Sequence, residues 1–169
     1  MKKEFFMKRM IFLCVLASVF LLSSCAPRAN MSDLLSYQEQ AKTMTLRITD
    51  GEVFHIQWEK TDGAHMLIFT DGDRKNVGYQ MDANGKISMI YEDFTVPIAD
   101  TQNLKCAEWF SLFSISAGET IWKIKKELLG GIEVFVCRDG THTIYIETKT
   151  KIPLRIEKGD ISIDILSLS

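Results

Sequence analysis

The feature that most constrains this chain is a two-residue hydrophobic alternation, interrupted at short intervals by turn-forming dipeptides. Met44, Leu46 and Ile48 share one face; so do Phe54, Ile56 and Trp58, opposite His55, Gln57 and Glu59. The pattern returns at Val77, Tyr79 and Met81, at Ile87, Met89 and Tyr91, at Ile132, Val134 and Val136, and at Ile161, Ile163 and Ile165. Successive side chains of a strand point to opposite faces, so each run reads as a strand with one buried and one wetted face. The runs are separated by Asp50-Gly51, Asp62-Gly63, Asp71-Gly72, Asn84-Gly85, Gly130-Gly131, Asp139-Gly140 and Gly159-Asp160. Such pairs accept the positive φ of tight hairpin turns, and their even spacing predicts an antiparallel meander. Ala64 to Phe69 is apolar almost throughout, which predicts a central strand covered on both sides.

Two segments break the rhythm. Ser32 to Ala41 reads as a short helix capped by Ser32, with Leu34, Leu35 and Gln38 on one side. Asn103 to Ala117 reads as a longer helix, because Cys106, Trp109, Phe110, Phe113 and Ala117 fall at three- and four-residue steps and form an apolar stripe. Thr120 to Leu129 fits either period and is read as a strand. The resulting class is α+β, mainly antiparallel β: a curved meander or open half-barrel, with a short N-terminal helix and one amphipathic helix on its concave face. No repeat or linker divides residues 32–169, which are expected to form one β-rich domain.

The N-terminus is a separate object. Lys2, Lys3, Lys8 and Arg9 precede Met10 to Leu22, an uncharged apolar run of 13 residues, too short for the roughly 20 residues of a spanning helix. Positive end and apolar run together read as an export signal. The run closes on Leu22-Ser23-Ser24-Cys25, which resembles the lipobox of bacterial lipoproteins. That resemblance implies removal of residues 1–24 and acylation of Cys25, leaving residues 25–31 as a short tether; Ala26 to Asn30 span at most ~17 Å when extended. Two or more acyl chains suffice for stable anchoring, whereas one is marginal. The expected location is extracytoplasmic and lipid-anchored, on a plasma or an outer membrane. Without the signal the chain carries 16 basic and 21 acidic residues, a net charge of −5. An excess of acid argues against nucleic-acid binding, and it leaves attachment to the lipid and not to surface charge.

Cys106 and Cys137 are the thiols of the expected domain, and export permits a disulfide between them; two small buried hydrophobes is the alternative. If Asp139-Gly140 forms a two-residue turn, His142 faces Cys137 across the hairpin, a pairing that resembles half of a metal or activated-thiol site but more simply reads as packing. His55 and His65 read as ordinary strand residues. No nucleophile elbow, zinc-protease helix or phosphate loop occurs, so no enzyme activity, catalytic residue, metal or cofactor is expected. Asp71, Asp73 and Asn76 lack the order of a calcium loop and read as a solvated turn. Glu92 and Asp93, placed on a strand, would face opposite ways, while Lys123, Lys125 and Lys126 read as one wet face.

Ile146-Glu147-Thr148-Lys149-Thr150-Lys151-Ile152-Pro153-Leu154-Arg155-Ile156 is similar to the late hairpin of the lipoprotein carrier and receptor family, the Lol-type half-barrel. There a polar turn is followed by an apolar residue, proline, leucine and a basic residue. Leu34-Leu35-Ser36-Tyr37-Gln38 resembles small bacterial lipoproteins of unknown function. The family resemblance implies a concave apolar face able to hold acyl chains, and Trp58, Met66, Met81, Met89, Trp109, Phe110 and Phe113 are the candidate wall. A dry core built from the same residues is the competing reading. A lipid or other apolar ligand is thus one expected partner, and an envelope protein held by a sheet edge or loop is the other.

Overall fold

The computed structural model describes residues 29–118 and 121–169. The segment read as an export signal, its lipobox-like end and Cys25 lie outside those residues. Two four-residue helices, α1 (Met31–Leu34) and α2 (Tyr37–Gln40), lead into the strands β1 (Thr43–Asp50), β2 (Glu52–Thr61), β3 (Ala64–Phe69), β4 (Val77–Met81), β5 (Ile87–Tyr91) and β6 (Phe94–Pro97). Helix α3 (Lys105–Ser111) follows. The chain then continues through β7 (Lys123–Leu129), β8 (Ile132–Arg138), β9 (His142–Glu147), β10 (Pro153–Lys158) and β11 (Ile161–Leu168).

All 11 strands belong to one open antiparallel sheet, ordered β6-β5-β4-β3-β2-β1-β11-β10-β9-β8-β7. Two meanders therefore meet at β1 and β11, and the segment carrying α3 joins one free edge of the sheet to the other. The alternation predicts the antiparallel pairing of successive strands within each meander, but not the pairing of β1 with β11. At Asp62-Gly63 and Gly130-Gly131 the turn residues have the positive φ that the dipeptides imply, with Asp62 at 47° and Gly63 at 81°. The segment read as ambiguous is strand β7.

One apolar cluster fills the helix-bearing face. Leu46, Ile48, Ile56, Trp58, Leu67, Ile144, Ile146, Ile156 and Ile163 from the sheet are joined there by Leu34, Cys106, Trp109, Phe110, Leu112 and Phe113. The opposite face is polar in its C-terminal half. Tyr145, Arg155, Asp164 and Arg47 stand in register across β9, β10, β11 and β1. Asp164 binds both arginines, at 2.6 Å from Arg155 Nε and 2.7 Å from Arg47 Nη2. On the same face Val134 and Val136, beside Glu147 and Tyr145, are buried, so β8 has a covered surface on each side.

The helices differ from expectation at their ends. Asn30, not Ser32, caps α1 by accepting the Ser32 N–H, and Ser36 separates α1 from α2. Helix α3 has seven residues and stops before Leu112. Leu112, Phe113 and Ile115 remain buried without being helical: their spacing extends the stripe, but it is depth in the core that requires them to be apolar. The central strand β3 also departs from its reading. Leu67 and Phe69 are buried, whereas Met66 and Ile68 on the other face are half exposed.

Candidate functional site

The candidate wall divides into three places. Trp58, Trp109, Phe110 and Phe113 are packed tightly under and around α3. Trp58 lies 5.6 Å from Phe113, and Trp109 lies 5.2 Å from Phe54 and 6.3 Å from Phe69. Asp50, at the end of β1, fixes that helix by accepting from Trp109 Nε1 at 2.9 Å and from Lys105 Nζ through its backbone oxygen at 3.0 Å. These side chains fill the space that a ligand under the helix would need. Met66 is elsewhere: it pairs with Glu59 and Gln80 and belongs to the outer face.

Met81 and Met89 lie on the helix-bearing face, where the register continues through Trp58, Leu67, Tyr79, Met89 and Val96. Moving outward along that row, cover is lost. Leu67 is buried, Tyr79 and Met89 are half-buried, and Val96 is 51% exposed, flanked by Tyr91 at 47% and Phe94 at 69%. Helix α3 does not reach this far, so β5 and β6 form an apolar wing open to solvent. Its rim toward the core is closed by the Arg74 guanidinium, 5.3 Å from the Phe54 ring and 5.9 Å from the Phe69 ring. Glu92 and Asp93 occupy the hairpin turn at the wing tip, with Glu92 at φ 51°, and are not strand residues.

Where core and wing meet, two polar atoms are buried without a hydrogen-bond partner: Trp58 Nε1 and His65 Nδ1. Their rings pack with centroids 5.5 Å apart and planes inclined at 58°. Burial, and then the Lys60 charge, lower the His65 pKa and favour the neutral imidazole. A buried unpartnered donor is costly and is uncommon in cores. The alternation around Trp58 and His65 marked them only as strand residues, and no sequence signal showed that their rings meet.

The cysteines do not pair. Cys106 on α3 and Cys137 on β8 are both free and buried, and the bridge that export would permit is not formed. Burial pushes the Cys106 thiol up to about 12 and the Cys137 thiol up to about 11, so both stay protonated at neutral pH and are poor nucleophiles. His142 faces neither. The β8–β9 turn is centred one residue later than the dipeptide suggests, on Gly140-Thr141, because Asp139 Oδ1 accepts the N–H groups of Thr141 and His142. Cys137 thus pairs with Ile144, and His142 Nδ1 lies 2.8 Å from Asp139 Oδ2. Asp71 is engaged by His55 Nδ1 at 2.6 Å. Among the described residues no group of three or more His, Cys, Asp or Glu is arranged to hold a metal ion.

A cleft of about 340 Å³ lies at the β7 edge, lined by Ala29, Trp122, Ile124, Lys125, Lys126 and Phe135. Lys126 and Lys151 lie over the Phe135 ring, at 5.6 and 4.3 Å. The three β7 lysines do not share one face: Lys123 and Lys125 point to one side and Lys126 to the other, as strand geometry requires.

No family model matches the chain, and no curated protein matches it. Among solved structures it is similar to PNGF-II in a C2 crystal form, at 12% identity and a TM-score of 0.34. The match covers 75% of this chain and 27% of that one, so the chain spans about a quarter of its length. A likeness this slight assigns neither fold nor activity.

Proposed function

We propose that this is a membrane-anchored extracytoplasmic lipoprotein that binds a lipid or another apolar ligand on the open wing of its sheet. The observation that carries the reading is the wing itself: Tyr91, Phe94 and Val96 are exposed together with half-buried Met89 and Tyr79, in register with the buried core. A contiguous exposed apolar patch marks a binding surface more often than chance, and hydrocarbon contact at ~25 cal/mol per Å² binds an acyl chain without special polar groups. Methionine suits such a wall because its thioether chain repacks easily. Further support comes from the sequence: the lipobox resemblance at Cys25, and the likeness of Ile146 to Ile156 to the Lol-type half-barrel.

A second reading, an interaction lipoprotein without a small ligand, is favoured by one observation. Strand β6 is a free sheet edge with every residue exposed, and free edges pair readily with a strand from another protein. The two readings separate by titration of the purified full-length lipoprotein with a fluorescent fatty acid. Ligand binding requires saturable uptake that unlabelled phospholipid displaces and that Phe94→Glu with Val96→Glu abolishes. An absence of uptake, or uptake indifferent to those substitutions, removes the lipid reading and leaves the edge.

A further inference from the structure

We propose that the β7 edge is the face this domain lays on its membrane, where its lysines meet the headgroups of anionic phospholipids; the inference rests on the acylation of Cys25 proposed above. The first support is the length of chain between anchor and domain. Ala29 lines the cleft with Trp122, Ile124 and Phe135, and only Ala26 to Arg28 separate it from Cys25. Four residue steps reach at most about 14 Å when extended. The bilayer surface therefore cannot be farther than that from the β7 edge. The opposite edge, β6, is ten strand spacings away in the sheet order, roughly 48 Å along the sheet at the usual interval. Anchoring at this corner turns β7 toward the lipid, with the apolar wing at the other end of the strand order.

The second support is charge. The domain is acidic as a whole, but this edge is not. Lys123, Lys125 and Lys126 lie on β7, with Lys149 and Lys151 on the neighbouring β9–β10 turn. The local carboxylates are already engaged: Glu127 by Arg138 at 3.2 Å, Glu133 by Thr148 at 2.8 Å and by Lys126 at 3.5 Å, and Glu147 by Thr150 at 2.5 Å. Lys123, Lys125 and Lys149 have no ion-pair partner among the described residues. Exposed apolar side chains are interleaved with them, Ile121 at 88% and Leu128 at 74%. Basic groups alternating with isolated large hydrophobes match an anionic interface, where each lysine gains from the surface potential and each apolar side chain enters the headgroup layer. Trp122, half-buried with an unpartnered Nε1, sits among them as a native probe.

The test reconstitutes the full-length acylated protein into vesicles of phosphatidylcholine alone, or of phosphatidylcholine with phosphatidylglycerol, each doped with a headgroup-level nitroxide lipid. Trp58 and Trp109 are buried, so quenching reports chiefly on Trp122. The proposal requires quenching several-fold stronger with phosphatidylglycerol, loss of that excess in high salt, and the same loss in Lys123→Glu with Lys125→Glu. Equal quenching in both lipids, or an excess insensitive to salt and charge reversal, overturns it, as does a β7 edge shielded by a bound protein in both. The salt dependence of the unmodified protein decides the matter even if the variant does not fold. Flotation with the vesicles is scored separately. Protein that fails to float overturns the anchor and with it this inference, whereas protein that floats without the excess overturns the orientation alone.

Discussion

Strands β8 to β11 and strands β4 to β6 are built from similar alternating sequences, yet they end in opposite states. In the C-terminal meander the inner face is closed by Cys137, Ile144, Ile146, Ile156 and Ile163, and the outer face carries the Arg155–Asp164–Arg47 lattice and the buried Val134 and Val136. In the N-terminal meander the inner face is closed only as far as Leu67 and Phe69, and beyond them Tyr91, Phe94 and Val96 face solvent. The difference lies in what covers each strand, since Trp109 on α3 packs on Phe54 and Phe69 of β2 and β3, while Tyr91, Phe94 and Val96 on β5 and β6 stay exposed. Of the two, β8 to β11 hold most of the buried side chains, and β4 to β6 retain an exposed apolar surface, where the proposed ligand would sit.

That contrast predicts a graded response to substitution. Phe110→Ala, at a fully buried position, is expected to cost 3–5 kcal/mol, as large-to-small aromatic changes in cores do, read as a lowered urea midpoint. Phe94→Ala on the wing should stay within ~0.5 kcal/mol while weakening fatty-acid binding. A comparable loss of stability at both sites would erase the distinction between the halves.

The polar lattice gives the next largest effect. Burial pushes the Asp164 carboxyl upward, but hydrogen bonds from Arg47 and Arg155 outweigh it and hold the pKa below the ordinary value. The unfolded chain therefore takes up this proton first. The resulting stability is present above the usual carboxylate range and is lost as pH falls through the depressed folded value. Asp164→Asn leaves two guanidinium groups without their carboxylate and is expected to cost ~1–3 kcal/mol at neutral pH, with a smaller difference from the unmodified protein in acid. An acid transition as steep in the variant as in the parent would contradict that role.

Asp50→Ala should have a smaller effect, about 1 kcal/mol for the lost Trp109 bond and the exposed Lys105 contact. Near-ultraviolet circular dichroism from Trp109 should change while the far-ultraviolet strand signal stays. An unchanged tryptophan signal would mean that α3 is held by its apolar stripe alone.

The same contrast explains what the sequence made legible. Strand faces and most turns follow from side-chain period and from glycine's tolerance of positive φ, both local properties, and the meander follows from them. Alternation along β5 shows that Ile87, Met89 and Tyr91 share a face but not whether anything lies over it. Met66 was misplaced for a related reason, because an apolar run without alternation gives no face assignment until its pairing with Glu59 and Gln80 is known. The end of α3 was hidden because Phe113 and Ile115 keep the apolar spacing after the helix has stopped. The β8–β9 register turned on the Asp139 side chain, whose bonds to two backbone N–H groups moved the turn by one residue and separated His142 from Cys137.

Hydrogen exchange on the full-length protein, with and without added phospholipid, tests the central claim most directly. The account predicts that amides of β5 and β6 exchange fast in the free protein and become protected when lipid is present, while those of β8 to β11 stay slow throughout. Protection unchanged at β5 and β6, or a change spread evenly over both meanders, would contradict it.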